Sequence, residues 1–128
     1  MLKEAEVFSG FSVINKDETL VFYRDSLGLT VEVNDMGLYL RLVNDSKVFL
    51  YPKENHVPAT FTILNFNVKD IDIAVDNLVE KGVIFEIYKG MHQDNKGIAR
   101  GIAANMGPDI AWFKDPSGNI LSVLHEKE

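Results

Sequence analysis

One order of elements occurs twice in this sequence, and that recurrence restricts the fold more than any other feature. In the first half, the apolar or small residues 7–14 suit a strand, and Asn15-Lys16-Asp17 interrupts them. Asp17 is expected to cap a helix, with Glu18 adding negative charge in the first turn, where the helix dipole favours it. Leu20, Tyr23 and Leu27 mark the buried face, and Gly28 can take the left-handed conformation that ends the helix. Strands are expected at 29–33, 38–43 and 47–51, with turns at 34–37 and 44–46, before a polar linker at 52–58.

The second half begins again with a strand at 61–68, then Asp70 as cap. Ile71, Ala74, Val75, Leu78 and Val79 follow on one helical face, closed by Lys81-Gly82. A strand is expected at 83–88, an irregular stretch at 89–108, and two strands around Asp115-Pro116-Ser117-Gly118-Asn119. There Pro116 supplies a fixed φ, Asp115 can bond back onto the turn, and Gly118 can take a positive φ. The fold class that follows is α+β, two βαβββ modules in one domain of 1–128. Module 1 covers about 5–52, the linker 53–59 and module 2 about 60–126.

Composition narrows function mainly by exclusion. A net charge of −6 and a pI near 5.0 argue against a nucleic-acid surface, which needs a basic patch. The chain has no cysteine, which removes disulfides, zinc–thiolate sites and thiol nucleophiles. The first residues lack the apolar core of a signal peptide, and no apolar run approaches the ~18 residues that span a bilayer. The expectation is a cytoplasmic protein with no membrane or nucleic-acid partner.

Three stretches resemble the vicinal-oxygen-chelate superfamily, the group of glyoxalase I, bleomycin-resistance proteins and extradiol dioxygenases. They are Asp17 with Phe22-Tyr23-Arg24-Asp25-Ser26-Leu27-Gly28-Leu29, then Val68-Lys69-Asp70-Ile71-Asp72, and finally Phe113-Lys114-Asp115-Pro116-Ser117-Gly118-Asn119. The resemblance implies curled mixed sheets enclosing a cleft for a small molecule, and a homodimer. It also implies, in the catalytic members, a divalent metal held by His, Glu or Gln on the first and last strands of each module.

The positions that the resemblance assigns to metal ligands fall near Gly10, Leu50, Ile63 and Ser122. Their windows, 8–12, 48–52, 61–65 and 120–124, contain no His, Glu, Asp or Gln. Neutral oxygens alone make a poor site for zinc, iron, nickel or manganese, so no metal and no other cofactor is expected. Of the histidines, His56 falls in the linker, His92 in the irregular stretch, and His125 on the strand face opposite Ser122; all three read as solvated.

The reading that follows is a metal-free binder of a small, largely apolar or aromatic ligand, sequestering a drug or metabolite. Ser12, Tyr51, Asn65, Trp112 and Ser122 are the candidate contacts in the cleft, and neither serine has an evident base beside it. His92 and Arg100 are candidate contacts from the 89–108 stretch, which is either a lid over the cleft or a surface loop with no ligand. Two other readings stay open: a lyase, isomerase or dioxygenase relative with an atypical metal site, and a dimeric interaction module with a closed cleft.

Overall fold

Asn15, rather than Asp17, caps the first helix. Its backbone is extended and its side chain accepts from the Glu18 amide at 2.9 Å, so Asp17 lies inside the first turn. Both residues suit the position. Asn15 prevails because its carbonyl also receives Thr19 Oγ1, at 2.6 Å, and because β1 (Ser9–Val13) ends just before it. Such a cap is worth about 1 kcal/mol.

The structure, a computed structural model, describes residues 1–127; Glu128, the last residue of the expected domain, lies outside the described residues. The chain divides into two compact units, Met1–Val57 and a second beginning at Pro58.

In the first unit, α1 (Lys16–Val21) runs into a wider turn at Phe22–Ser26, where the Leu27 amide reaches back to the Phe22 carbonyl at 3.0 Å. Gly28, at φ 72°, then lets the Leu29 amide close onto the Tyr23 carbonyl, also at 3.0 Å. This closure is one residue wider than the usual six-to-one bond of a helix end, as follows from the wider turn before it, and like that bond it uses a left-handed residue. The strands β2 (Thr30–Asn34), β3 (Gly37–Arg41) and β4 (Lys47–Pro52) complete a mixed sheet in the order β1-β4-β3-β2, with only β1 and β4 parallel. Val13, Leu38, Leu40, Val48 and Leu50 form its buried face, together with Thr19 and Tyr23 from the helical segment. Gly37 is obligatory in this sheet: a Cβ there would stand 2.1 Å from the Leu50 carbonyl oxygen.

The second unit repeats the plan with β5 (Thr62–Asn67), α2 (Ile71–Glu80), a two-residue β6 (Ala99–Arg100), β7 (Asp109–Lys114) and β8 (Ile120–His125), in the order β5-β8-β7-β6. Asp70 caps α2 by accepting from the Ile73 amide at 3.1 Å, and Gly82, at φ 92°, follows its end. Ile71 and Val75 are buried with Val83, Ile98, Ala111, Phe113, Leu121 and Val123. Val79, expected on the same face, is 54% exposed. The final hairpin closes on Asp115, whose buried carboxylate accepts from the Ser117 and Asn119 amides at 2.8 and 2.9 Å and from Asn119 Nδ2 at 3.0 Å.

Two further expectations need correcting here. Residues 83–88 are not a strand; they make one bridge, Phe85 to Phe113, and one bond from the Glu86 amide to the Trp112 carbonyl at 2.8 Å. The physical reason is Gln93. Its Oε1 accepts from the Tyr88 amide at 2.7 Å, and its Nε2 donates to the Glu86 and Gly97 carbonyls at 2.8 and 2.7 Å. A side chain thus takes the place of a neighbouring strand. Nor is 89–108 wholly irregular, since it contains β6, which pairs with β7 through Ala99–Ile110 and Arg100–Asp109.

Candidate functional site

Strand alternation gives each sheet a face turned away from its helix. On the first sheet that face carries Gly10 and Ser12 from β1, Tyr39 from β3, and Phe49 and Tyr51 from β4, set side by side by the pairs Gly10–Phe49, Ser12–Tyr51 and Tyr39–Phe49. The rings form a continuous row. Tyr39 and Phe49 lie 4.9 Å apart, and Phe49 stacks on Tyr51 at 5.6 Å. The Lys47 ammonium sits 4.7 Å from the Phe8 ring centre and 5.1 Å from that of Tyr39, a cation–π arrangement.

Leu50, the second of the four positions expected from the resemblance, belongs to the other side and is fully buried. The open-face residues of β4 are Lys47, Phe49 and Tyr51. Ser12 is joined to His56: its Oγ lies 2.6 Å from Nδ1 of the imidazole. The turn that carries His56 is fixed to the sheet by the Lys53 amide, 3.0 Å from the Val13 carbonyl. His56 is therefore not a solvated side chain, and Ser12 does have a potential base beside it; folding of the linker back onto β1 lay beyond a local reading of residues 52–58.

On the second sheet the corresponding face carries Asn65, Ser122 and Trp112, aligned by the pairs Asn65–Ser122 and Trp112–Ser122. Ser122 is fully buried and donates to Asn65 Oδ1 at 2.5 Å; Asn65 itself is exposed. Ile63 falls where the register shifts between Thr62 and Leu64, so it has no partner on β8. His125 pairs with Asp109 on the α2 side, opposite Ser122, and its Nδ1 contacts the Val68 carbonyl at 2.8 Å. It too is held rather than solvated.

Trp112 is half-buried and meets the Tyr88 ring edge-on at 5.5 Å. These two rings, with Phe61, Met91, Ile120, the threonines at 60 and 62 and one charged residue, Lys89, line a cavity of about 320 Å³. Its size and mainly apolar walls suit a small ligand. Burial pushes the Tyr88 phenol pKa up; Glu86 adds to this and Lys114 opposes it. A larger hollow of about 510 Å³ lies beside α2, among Val75, Val79, Ile84 and Ile87. Its polar rim is already occupied, because Lys96 there pairs with Asp76 at 3.0 Å.

The two candidates from the 89–108 stretch do not join Trp112. His92 is exposed at a φ of 52°. Arg100 lies on the α2 side of the sheet, with Nη1 and Nη2 on the Asp72 carboxylate at 3.0 and 2.8 Å and Nε on Asp94 at 3.0 Å. Sequence reasoning missed Tyr88, Phe49 and Tyr39. Phe49 and Tyr39 alternate with buried leucines, so the period-two rule carried to its second face identifies them.

A metal does not fit this arrangement. The open-face polar groups within the implied windows are the Ser12 hydroxyl and Tyr51 phenol in the first unit, and the Thr62 hydroxyl, Asn65 amide and Ser122 hydroxyl in the second, with Asn65 and Ser122 bonded to each other. Among the described residues no group of three or more His, Cys, Asp or Glu could hold a metal ion. Also among these residues, no helix is long and apolar enough to cross a membrane.

Comparison with known proteins agrees with the fold. A search of curated proteins finds no match. Among solved structures, a superfamily member from Sphaerobacter thermophilus superposes with a TM-score of 0.66 at 23% identity, covering 95% of this chain and 98% of its own. TnmS3, an antibiotic-binding protein from Streptomyces sp. CB03234, gives 0.64 at 19% identity, with coverages of 96% and 98%. A glyoxalase/bleomycin resistance protein from the same organism gives 0.61 at 18%, with 94% and 99%. At these identities the likeness concerns the fold. Residues 10–123 match the family described as Glyoxalase/Bleomycin resistance protein/Dioxygenase superfamily, and with both βαβββ-type units in place the chain belongs to that superfamily.

Proposed function

We propose that this protein binds a small, largely apolar or aromatic molecule without a metal, and sequesters it rather than transforming it. The single observation that carries the reading is the cavity walled by Trp112 and Tyr88, on a sheet whose own two windows for the family's metal ligands hold only neutral side chains. Trp112 supplies a flat surface, and Asn65 with Ser122 supplies polar groups on the same face. The row Tyr39, Phe49 and Tyr51 offers a second aromatic surface on the first unit. The antibiotic-binding description of TnmS3 is compatible with such a role. We read the working form as a cytoplasmic homodimer.

Native mass spectrometry of protein purified without chelator tests the proposal. The expected species is a dimer free of metal, carrying at most a small organic adduct. A transition metal bound in a one-to-one ratio per chain would overturn it.

The Ser12–His56 contact favours a second reading, an enzyme in which His56 activates Ser12. Covalent labelling of Ser12 by a fluorophosphonate, lost in His56→Ala, would support that reading; an unlabelled serine would remove it.

A further inference from the structure

Tyr88 carries the one structural cost in the cavity that nothing so far described explains. Its hydroxyl is buried and has no hydrogen-bond partner among the described residues. A buried polar group without a partner costs free energy that a folded chain ordinarily avoids. The residue is not loosely placed: its amide donates to Gln93 Oε1 at 2.7 Å, its carbonyl accepts from the Met91 amide at 3.2 Å, and its ring rests edge-on against Trp112. A phenol keeps its proton at neutral pH with its ordinary pKa near 10, and burial pushes that pKa further up, so the group is available as a donor.

We infer that the ligand of this cavity bears a hydrogen-bond acceptor, such as a ketone, ester or amide carbonyl, on a flat apolar frame, and that Tyr88 Oη donates to it when the frame rests against Trp112. The inference rests on the small-molecule reading above and specifies the ligand class. Since the oxygen is enclosed in the free protein, a small rotation of the phenol accompanies ligand seating. The hydroxyl then costs stability in the free protein and returns it in the complex, and a ligand without an acceptor leaves the cost in place.

Two near-isosteric ligands separate these effects: 2-acetylnaphthalene, with a carbonyl, and 2-ethylnaphthalene, without one. Their affinities are measured by saturation-transfer NMR on the full chain and on Tyr88→Phe, together with urea unfolding of both proteins. The expected result is about tenfold tighter binding of the acetyl compound to the unsubstituted protein. In Tyr88→Phe that preference falls to about twofold or less, the ethyl compound binds as before, and the variant unfolds at an equal or higher urea concentration. Equal binding of the two compounds to the unsubstituted protein, or a preference that survives in Tyr88→Phe, overturns the role of Tyr88 and leaves the small-molecule reading intact. Loss of stability in Tyr88→Phe also overturns it, since the hydroxyl then has a partner in the free protein. Failure of both compounds to bind overturns both readings.

Discussion

Arg100 grips Asp72 through two parallel hydrogen bonds, Nη1 to Oδ2 at 3.0 Å and Nη2 to Oδ1 at 2.8 Å, and its remaining Nε reaches Asp94 at 3.0 Å. This fork ties β6 to the first turn of α2, so the stretch after Gln93 is anchored by charge as well as by the short ladder with β7. Lysine has the charge but not the fork. Arg100→Lys is therefore expected to speed amide deuterium exchange over residues 94–100 by roughly two- to fivefold, as suits a partly exposed pair. Exchange at the centre of β7 stays unchanged.

The same pair sets a pH dependence. The hydrogen bonds from Arg100 lower the Asp72 pKa from 3.8 to about 2; burial opposes the shift, and Lys96 assists it. In the unfolded chain the carboxyl takes its proton near the ordinary value, before the folded protein does. The contribution to stability is then complete above about pH 5 and disappears as pH falls through the window between 3.8 and about 2. The difference in urea midpoint between the unsubstituted protein and Asp72→Asn should stay level from neutrality to about pH 5 and close below pH 4. A difference that widens in acid would contradict this account.

Asp115 predicts the behaviour of the last hairpin. Its carboxylate serves two buried backbone amides and the Asn119 side chain, so Asp115→Ala removes at least these three hydrogen bonds at one point. A loss of about 2–4 kcal/mol in urea unfolding is expected. Asp115→Asn, which keeps one oxygen as acceptor, should lose less.

Two glycines are needed for different reasons, and their alanine variants should differ in size of effect. Gly37→Ala places a methyl group 2.1 Å from the Leu50 carbonyl oxygen, a backbone clash inside the sheet, and is expected to cost about 3 kcal/mol or more. Gly28→Ala meets no atom within 4 Å and suffers only the strain of a φ of 72°, about 1 kcal/mol. Equal losses would mean that one of the two local descriptions is wrong.

Much of the fold was legible because its signals are local. The Asp70 cap, Gly28, Gly82 and the Asp115–Asn119 turn each act through neighbours within a few residues. What was not legible depends on contacts that close at a distance or by side chain. Gln93 satisfies backbone groups at 86, 88 and 97 and so turns an expected strand into an irregular segment. His56 meets Ser12 across 44 positions of sequence. Within the candidate site, Asn65 was readable from strand alternation and Ser122 and Trp112 as separate candidates; the bond between Asn65 and Ser122 depends on the pairing of β5 with β8, which no local pattern gives. Tyr88 was not, because its place beside Trp112 depends on that irregular segment rather than on a sheet register.

The most direct test of the central claim uses the chain's only tryptophan, Trp112, as its own reporter. Protein treated with EDTA is titrated with 2-acetylnaphthalene while Trp112 fluorescence is followed. Saturable quenching, unchanged when zinc is added back, is the predicted result. Quenching that appears only after a divalent metal is restored, or that never saturates, would contradict metal-free binding at this cavity.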